Sequence, residues 1–454
     1  MPSPVQITFV GGGSVHWGPL LTADLMLTEA LTGSRLVLYD IDAPAVEQVA
    51  QLAQRIADET RCGWEIEVHH NLDRALEGSD FVIFCIAQGG LEAFRADLEI
   101  PQRYGIVQPV GDTIGPGGIS RALRHIPVAL DVARKMEDAC PRAWFINLTN
   151  PLTPITRAVN RETSIQAIGL CHEVTGVVAE LAQLLEVSPS RVTVEVAGIN
   201  HLPWILGMRV GEQDGFEMLR EWLQVHGPLS SAQDLPAMST ADSVFYDRMA
   251  IKFILFQLCG YLPGAGDRHV AEFFPAFLSA ESEYGRSYGV ELTTIEHRYE
   301  RLTQRQQNLT QQIAQAEPLS LEQSGEQVAE LIAALGADQP GRFIINVPNV
   351  NQVENLPQGA IVECQAHLRT GVVEPLSVGP LPACIAQIVA GRVWQQEIIV
   401  DAAVSGSRGL VLQALLADPM LPSWEITQAL CDKLLSAHTR HLSQFSGDIV
   451  ASES

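Results

Sequence analysis

The sequence has few positive charges for its length. Its 454 residues contain 29 lysines and arginines against 53 aspartates and glutamates, which gives a formal net charge of −24. A surface that binds nucleic acid needs basic side chains that neutralise phosphates and release counterions. The charge balance therefore argues against a nucleic-acid partner and favours a small molecule as the ligand.

The sequence also lacks a long apolar run and a paired cysteine motif. No stretch reaches the roughly 18 unbroken apolar residues of a membrane span, and the first residues show no basic flank followed by an apolar core. The eight cysteines form no Cys-x-x-Cys pair and lie mostly in apolar runs, which does not suggest a disulfide framework. We therefore expect a soluble, cytoplasmic protein with no membrane partner.

The first 42 residues have the pattern of a βαβ unit. An apolar strand at 5–10 is followed by a glycine-rich turn, by leucines at helical spacing, and by a second strand that ends at Asp40. Such a turn lets the backbone approach a pyrophosphate, and the acid can bind a ribose diol while repelling the extra phosphate of NADP. The pattern predicts an NAD site, with a ligand-free tight turn as the alternative, because His16 replaces the third glycine of the usual fingerprint. The predicted cofactor-binding residues of the turn are Gly11, Gly12, Gly13 and Ser14.

Strands and helices continue to alternate up to about residue 187. Fully apolar strands are predicted at 80–86 and 144–148, with an amphipathic helix at 119–136. The intervening residues 94–118 are rich in glycine, proline and charge. A loop of that length is typical of a flap over a ligand, and a plain surface excursion is the alternative.

Beyond residue 188 the pattern becomes mixed α+β. Helices are predicted at 243–258 and 291–316, and the second of these is long and polar, which suits a solvated or subunit-facing surface. We expect an α/β protein in which residues 1–187 form a Rossmann-like, doubly wound parallel sheet. Residues 188–454 are then expected to form an α+β domain for substrate, metal and subunit contacts.

Three predicted strands end in polar side chains that can bind a ligand. Cys171 follows one strand and His201 follows another, about thirty residues later. Ligands collect at the carboxyl ends of strands in open α/β sheets, so these two side chains could share one metal ion. A small buried hydrophobe is the alternative for the cysteine. For Asn150, which follows a third strand, a sugar-hydroxyl ligand and a simple turn former are equally expected.

Taken in order, these motifs resemble glycoside hydrolase family 4, the NAD- and divalent-metal-dependent glycosidases with a lactate/malate-dehydrogenase-like fold. The resemblance extends over essentially the whole chain. The residues that carry it are Phe9-Val10-Gly11-Gly12-Gly13-Ser14, Asp40-Ile41-Asp42, Gly115-Pro116-Gly117-Gly118, Thr149-Asn150-Pro151, Cys171-His172, Gly198-Ile199-Asn200-His201 and Asn346-Val347-Pro348-Asn349.

The resemblance implies a reaction that differs from the two-carboxylate scheme of most glycosidases. NAD⁺ is expected to take hydride from carbon 3 of the sugar, a base to remove the proton from carbon 2, and the glycosidic oxygen to leave by elimination. Water addition and return of the hydride then complete the hydrolysis. The resemblance also assigns Cys171 and His201 to Mn²⁺, His172 and Asn150 to substrate hydroxyls, and Asp267 to the catalytic base. A turn-stabilising aspartate is the alternative for Asp267.

The residues after Cys171 bear on the substrate class. Members that cleave phosphoglycosides generally replace His172, whereas Cys-His-Glu-Val resembles the branch that acts on α-galacturonides. Glu173 would repel a substrate carboxylate, so Arg124, Arg268 or His269 is expected to supply the opposing charge. The alternatives within the family are an α-galactosidase or α-glucosidase and a 6-phospho-glycosidase.

Two functions from different protein classes also fit the sequence. A 2-hydroxyacid dehydrogenase of the same fold would release NADH at each turnover and would not need a metal-binding thiolate. A non-catalytic NAD sensor would bind the dinucleotide and cleave no glycoside. For a family member, a homodimer or homotetramer is expected.

Overall fold

The computed structural model describes residues 4–226 and 247–446, which form one mixed sheet of 13 strands with helices packed on both of its faces. The strands are β1 (Gln6–Val10), β2 (Arg35–Tyr39), β3 (Glu65–Val68), β4 (Phe81–Phe84), β5 (Trp144–Asn147), β6 (Ala167–Gly169), β7 (Val192–Ile199), β8 (Leu202–Val210), β9 (Gln213–Asp214), β10 (Leu262–Pro263), β11 (Gly341–Pro348), β12 (Ile361–Arg369) and β13 (Val372–Pro375).

The helices follow the predicted alternation closely in the first part of the chain. They are α1 (Trp17–Leu27), α2 (Ala43–Thr60), α3 (Leu72–Leu76), α4 (Gly90–Gln102), α5 (Gly115–Ala139), α6 (Leu152–Glu162), α7 (Glu173–Leu184), α8 (Gly215–His226), α9 (Ala250–Cys259), α10 (Asp267–Phe273), α11 (Ile295–Ala314), α12 (Val328–Gly336), α13 (Ala383–Ser405), α14 (Arg408–Leu416) and α15 (Trp424–Ala437). None of the described helices is both long enough and apolar enough to cross a membrane.

The first six strands have the order β3-β2-β1-β4-β5-β6, and each neighbouring pair is parallel. This is the order of a doubly wound dinucleotide-binding sheet, in which ligands bind outside the carboxyl ends of the strands. The central strands are almost completely buried because helices cover both faces. The predicted α/β fold with a Rossmann-like parallel sheet is therefore confirmed.

The sheet continues without a break into the second part of the chain. Strand β11 lies antiparallel to β6, and β12, β7, β8 and β10 follow in that order. The residues after 188 thus extend the first sheet instead of building a separate one. A division between residues 187 and 188 stays a prediction.

The predicted loop at 94–118 is shorter in the structure, since α4 continues to Gln102 and α5 begins at Gly115, with Pro116 in its first turn. Residues 103–114 lie between these two helices. Proline is tolerated there because the first amides of a helix have no partner within it. The predicted helix at 243–258 is present as α9, and residues 243–246 lie outside the described residues.

The polar helix α11 lies against the N-terminal sheet region, where it packs on α2 and α4. The Arg55 side chain on α2 donates hydrogen bonds to the main-chain oxygens of Gln312 and Gln315, at the C-terminal end of α11. One side of α11 is therefore used inside the chain, and the expectation of a solvated or subunit-facing surface stays a prediction for its other side.

Candidate active site

The glycine-rich turn connects the carboxyl end of β1 to α1. The amides of Gly11 and Gly12 both donate to the Tyr39 carbonyl, at 2.9 and 3.0 Å, and the Gly13 amide donates to Asp40 Oδ2 at 3.0 Å. Gly11 has a φ of 91°, and a Cβ there would lie 1.9 Å from the Cys85 carbonyl oxygen. Only glycine fits at this position, so the turn brings bare backbone to the carboxyl edge of the sheet.

Gly18 performs the packing role that the sequence fingerprint assigns to a third glycine. It is buried in α1, and a Cβ there would approach both Val49 methyl groups at 2.9 Å and the Gly12 carbonyl oxygen at 3.0 Å. Close contact between the first helix and its surroundings is the purpose of that glycine. The fingerprint therefore departs from the usual spacing by two residues, and His16 does not disrupt the turn.

Most of the predicted substrate and metal residues line one cavity of about 160 Å³. It lies where β5 and β6 end and where β7 turns into β8. Asn150, Cys171, His172, His201 and Arg268 all contribute to its wall. The structure thus brings together five predicted site residues that are spread over more than a hundred positions of sequence.

A cluster of metal-ligand type lies in this wall. Side-chain ligand atoms of Asp112, His201 and His269 all lie within 4.8 Å of one another, and the two imidazole rings are 3.8 Å apart. Cys171 lines the same cavity. The cluster itself supplies one carboxylate and two imidazoles, a donor set that suits a first-row divalent metal. Cys171 lies outside that cluster, so its predicted pairing with His201 at one metal ion stays a prediction.

The imidazoles have nitrogens available for a metal. His201 Nδ1 is 2.7 Å from the Thr113 hydroxyl, and when it donates there Nε2 keeps the lone pair that a ligand needs. His269 Nδ1 is buried and has no hydrogen-bond partner among the described residues. Burial lowers the pKa of His269 to about 3, and the neighbouring His201 acts in the same direction. Burial also lowers the pKa of His201, and both shifts favour the neutral imidazole that metal binding requires.

The Asp112 carboxylate and the Cys171 thiol respond to the same environment in opposite ways. Burial alone would raise the pKa of Asp112, but His201, His269 and Arg121 outweigh it and hold that pKa well below its usual range. Burial raises the pKa of the Cys171 thiol well above its ordinary value, and the carboxylates of Glu363 and Glu173 add to that rise. Metal binding deprotonates a thiol of this kind, so a cation at this position would oppose the rise in the pKa of Cys171 and keep Asp112 ionised.

His172 is half-exposed at the mouth of the cavity. Its Nδ1 lies 2.9 Å from Glu326 Oε1, and this hydrogen bond raises the pKa of His172 to about 9. The imidazole is therefore a cation at neutral pH and can donate to a substrate hydroxyl. Glu326 comes from the segment before α12, and no sequence motif connects it with this site.

Asp267 has a different environment from the ligand cluster. Its two carboxylate oxygens accept from the amides of Ile251 and Lys252, at 2.9 and 3.0 Å, at the beginning of α9. It lines a neighbouring cavity of about 230 Å³, which shares His172 and Arg268 with the first cavity. The contacts are those of a helix-capping aspartate.

Arg124 does not reach the cavity, which corrects its assignment to a substrate carboxylate. Its guanidinium donates to both carboxylate oxygens of Asp97, at 2.9 and 2.6 Å, and both side chains are fully buried. The guanidinium is already paired inside the protein, so it cannot bind a substrate. By contrast, Arg268 lines the cavity, and its Nη1 lies 3.3 Å from the Thr293 hydroxyl.

Sequence reasoning missed Asp112 as a ligand and Arg298 as a wall residue of the cavity. Asp112 lies in the glycine-rich segment predicted as a flap, and nothing in the local pattern connects it with residues 201 and 269. Arg298 lies on the polar helix predicted to face solvent or another subunit. Its position required knowledge of how α11 packs.

Comparison with known proteins identifies the family. The model for "Family 4 glycosyl hydrolase" matches residues 6–187, and that for the "Family 4 glycosyl hydrolase C-terminal domain" matches residues 196–421. The chain belongs to glycosyl hydrolase family 4. This membership decides in favour of a glycosidase and against a 2-hydroxyacid dehydrogenase or a non-catalytic NAD sensor.

Individual relatives agree with this family membership. An alpha-galacturonidase of Bacillus subtilis (strain 168) is 36% identical over 427 residues, which cover 92% of this chain and 93% of that protein. A solved structure from the same organism, described as a glucosidase, has 33% identity and a TM-score of 0.88, and covers 95% of this chain and 100% of its own. A 6-phospho-beta glucosidase from Thermotoga maritima, solved with manganese, NAD⁺ and glucose-6-phosphate, shares the fold at 23% identity and a TM-score of 0.79, covering 96% of this chain and 99% of its own.

Proposed function

We propose that this glycosidase cleaves α-galacturonides and uses NAD⁺ and a divalent metal, with Mn²⁺ as the expected ion. The main observation in support of this proposal is the cluster of Asp112, His201 and His269 in the cavity that Cys171 also lines. Two-carboxylate glycosidases do not need such a set of ligands. The 36% identity to an alpha-galacturonidase supports the uronide as the substrate class.

The described residues fit both groups. The turn of Gly11, Gly12 and Gly13 follows the carboxyl end of β1, where a pyrophosphate would bind, and Asp40, directly after β2, would bind the ribose diol. Asp112, His201, His269 and Cys171 would hold the metal. When bound, NAD⁺ supplies a hydride acceptor and the metal supplies Lewis-acid stabilisation of the sugar oxygens.

The remaining side chains of the cavity position the sugar. His172, held as a cation by Glu326, donates to a sugar hydroxyl, and the Asn150 amide accepts or donates to another. Asn150 Nδ2 also donates to Asp112 Oδ2 at 3.2 Å. This hydrogen bond connects a residue proposed to bind a sugar hydroxyl with a residue proposed to bind the metal. The role of Asp267 as proton acceptor stays a prediction, because both of its carboxylate oxygens accept backbone amides.

A panel of p-nitrophenyl glycosides tests this function. With NAD⁺, Mn²⁺ and a reductant, the α-galacturonide is expected to release nitrophenol while NADH does not accumulate, because the cofactor is reoxidised in each cycle. Exclusive turnover of 6-phosphoglycosides would contradict the substrate class. The α-galactoside and α-glucoside in the same panel test whether the enzyme instead prefers a neutral sugar.

A cysteine pair provides a matched test of the metal site. Cys171→Ser is expected to weaken Mn²⁺ binding by at least tenfold, measured by titration of the ion against the protein, because a hydroxyl is a far poorer ligand than a thiolate. Cys384→Ser, at an exposed cysteine on α13, is the control and should bind the ion as the wild type does. Equal affinity in both variants would remove Cys171 from the ligand set.

We also propose a cytoplasmic homodimer or homotetramer in which residues 1–187 and 188–454 act as the cofactor and substrate parts. Large apolar side chains are exposed on the C-terminal helices, at Trp394, Leu416 and Trp424, and they offer a surface for a second copy. Light scattering behind a sizing column tests the assembly, and a monomer at micromolar concentration would contradict it.

A further inference from the structure

The cavity that holds the ligand cluster also has an arginine with no acidic partner. Arg298, on α11, lines the cavity, and its guanidinium stacks 4.2 Å above the Phe94 ring. Its Nη2 donates to the Val110 carbonyl oxygen at 3.2 Å. Its Nε is buried and has no hydrogen-bond partner, and no described residue forms a salt bridge with it.

Every acid in the wall already has other partners. Glu326 pairs with His172, and Glu173 accepts from the Gly266 amide at 2.7 Å. Asp112 accepts from the Asn150 amide and belongs to the ligand cluster. Arg298 is therefore a largely buried cation whose charge the described residues do not compensate directly.

Two further guanidinium groups lie near Arg298. Arg121 lies 5.0 Å from the same Phe94 ring and donates to the Asn150 carbonyl oxygen, and Arg268 lines the cavity. Burial lowers the pKa of Arg298 to about 10, and Arg121 and Arg268 lower it too, while Asp112 and Glu272 act against them. Arg268 and Arg298 thus lie in the wall of this cavity, and Arg121 shares the Phe94 ring with Arg298.

A buried guanidinium without a counter-ion is costly, and its planar fork matches a carboxylate with two parallel hydrogen bonds. We propose that Arg298 is the specificity-determining residue that binds the carboxylate at carbon 6 of a uronide substrate. This inference rests on the proposed function. In a pyranose, carbon 6 lies across the ring from carbons 2 and 3, so a sugar that reaches the ligand cluster with those oxygens can extend its carboxylate to another part of the wall.

Two substrates that differ at a single carbon test the proposal. The p-nitrophenyl α-galacturonide carries a carboxylate where the α-galactoside carries a neutral CH₂OH. For Arg298→Gln, kcat/KM for the galacturonide is expected to fall roughly 30- to 1,000-fold, because truncating one partner of a buried charge pair has effects of this size. The kcat/KM for the galactoside should change by less than about threefold, because this substrate has no carboxylate for the guanidinium to bind.

The accompanying variants separate recognition from folding. Arg298→Lys keeps the charge but not the fork, so it should recover part of the galacturonide activity. Arg95→Gln is the matched control, because that arginine pairs with Glu99 and Glu296 and does not line the cavity. Galacturonate is expected to inhibit the wild type and Arg95→Gln competitively and to lose affinity for Arg298→Gln. If Arg298→Gln is too unstable for kinetics, Arg298→Lys takes its place: a fall in kcat/KM for the galacturonide with an unchanged value for the galactoside supports the inference, and an equal fall on both sugars contradicts it.

Three results would overturn the inference in different ways. An equal fall in activity on both sugars would make Arg298 a structural residue. A weaker Kd for NAD⁺ in Arg298→Gln, with unchanged inhibition by galacturonate, would assign the guanidinium to the dinucleotide. A wild type that cleaves the neutral galactoside but not the galacturonide would remove the proposed substrate class itself, and that failure is visible before any variant is made.

Discussion

At the scale of single residues, the surroundings of Asp267 favour the capping role among the two that its sequence position left open. Both of its oxygens accept backbone amides at the beginning of α9, and the buried Lys252 ammonium lies 3.4 Å away. Burial raises the pKa of Asp267 to about 6, and Asp247 acts in the same direction. A carboxylate that holds a helix terminus in this way has little freedom to approach a sugar.

We therefore expect substitution of Asp267 to affect stability more than chemistry. Asp267→Asn keeps an oxygen that can cap α9, so kcat should fall less than tenfold, whereas loss of a general base costs about 100- to 10,000-fold. Asp267→Ala should lower the free energy of unfolding by about 1–3 kcal/mol, because two buried amides lose their acceptor. Urea unfolding and steady-state kinetics on the same preparations check both statements. A fall of a thousandfold in kcat for Asp267→Asn at unchanged stability would restore the catalytic base.

His125 makes stability depend on pH. Its Nε2 accepts from the Gln88 amide at 3.0 Å, and its Nδ1 lies 2.9 Å from the Arg121 carbonyl oxygen. Burial, together with Arg121 and Arg124, lowers the pKa of His125 well below its usual value. The folded protein therefore keeps this ring neutral, while the unfolded chain protonates it below about pH 6.5.

Because the folded pKa is depressed, the contribution of His125 is fully present above pH 6.5 and is lost as the pH falls below it. One proton taken up on unfolding corresponds to about 1.4 kcal/mol per pH unit. His125→Gln should therefore show a shallower loss of unfolding free energy between pH 6.5 and 5 than the wild type does. Urea denaturation at a series of pH values measures this slope, and identical slopes would show that His125 does not titrate on unfolding.

At the scale of elements, the packing of α1 depends on one glycine that the fingerprint did not mark. An alanine normally favours a helix, but at Gly18 its methyl group would lie against Val49 and the Gly12 carbonyl oxygen. We expect Gly18→Ala to cost about 1–3 kcal/mol of unfolding free energy and to weaken NAD⁺ binding, because the clash displaces the turn.

A second helical glycine supplies the control for Gly18→Ala. A Cβ at Gly391, on α13, would meet nothing within 4 Å. Gly391→Ala should therefore stabilise the protein by about 0.4–1 kcal/mol and leave the Kd for NAD⁺ unchanged. Stabilisation by both alanines would mean that α1 has room to move away from α2.

Sequence periodicity was sufficient for most elements and insufficient for their contacts. The strands that end at Val10, Tyr39 and Phe84 follow from apolar runs and turn residues, because buried parallel strands have few other compositions. The beginning of α5 was missed because the Gly-Pro-Gly-Gly sequence suggests a loop, while its amides in fact start a helix. Likewise, the contacts of α11 with α2 and α4 could not be predicted, because a polar helix has no apolar face that indicates which side is packed.

At the scale of the whole molecule, the site is a product of the sheet. The ends of β5, β6 and β7 were predictable as ligand positions, and the structure places Asn150, Cys171 and His201 in one cavity. Asp112 and His269 join them from segments whose position depends on the complete fold. Sequence reasoning thus found the residues on strand ends but missed Asp112, and it assigned His269 to a substrate carboxylate although its neutral ring lies in the ligand cluster.

The two parts of the chain are also joined through a buried ionic group. Asp97 on α4 accepts from Arg124 on α5 and from His438 Nε2, at 2.9 Å, at the end of α15. Burial would raise the pKa of Asp97, but the hydrogen bonds and charges of His438 and Arg124 prevail and lower it. Because the described sheet is continuous as well, we expect the two parts to unfold in a single transition.

Asp97→Asn tests that coupling, since it leaves the Arg124 cation buried without its counter-charge. The free energy of unfolding should fall by about 3–5 kcal/mol, while far-UV circular dichroism and tryptophan fluorescence still report one coincident transition. Glu77→Gln is the control, because the exposed pair of Arg74 and Glu77 should contribute less than about 1 kcal/mol. Tryptophans lie in both parts, for example Trp144 on β5 and Trp204 on β8, so separate unfolding of the C-terminal part would appear as a second fluorescence transition. Such a result would mean that the ionic group and the shared sheet do not bind the two parts into one cooperative unit.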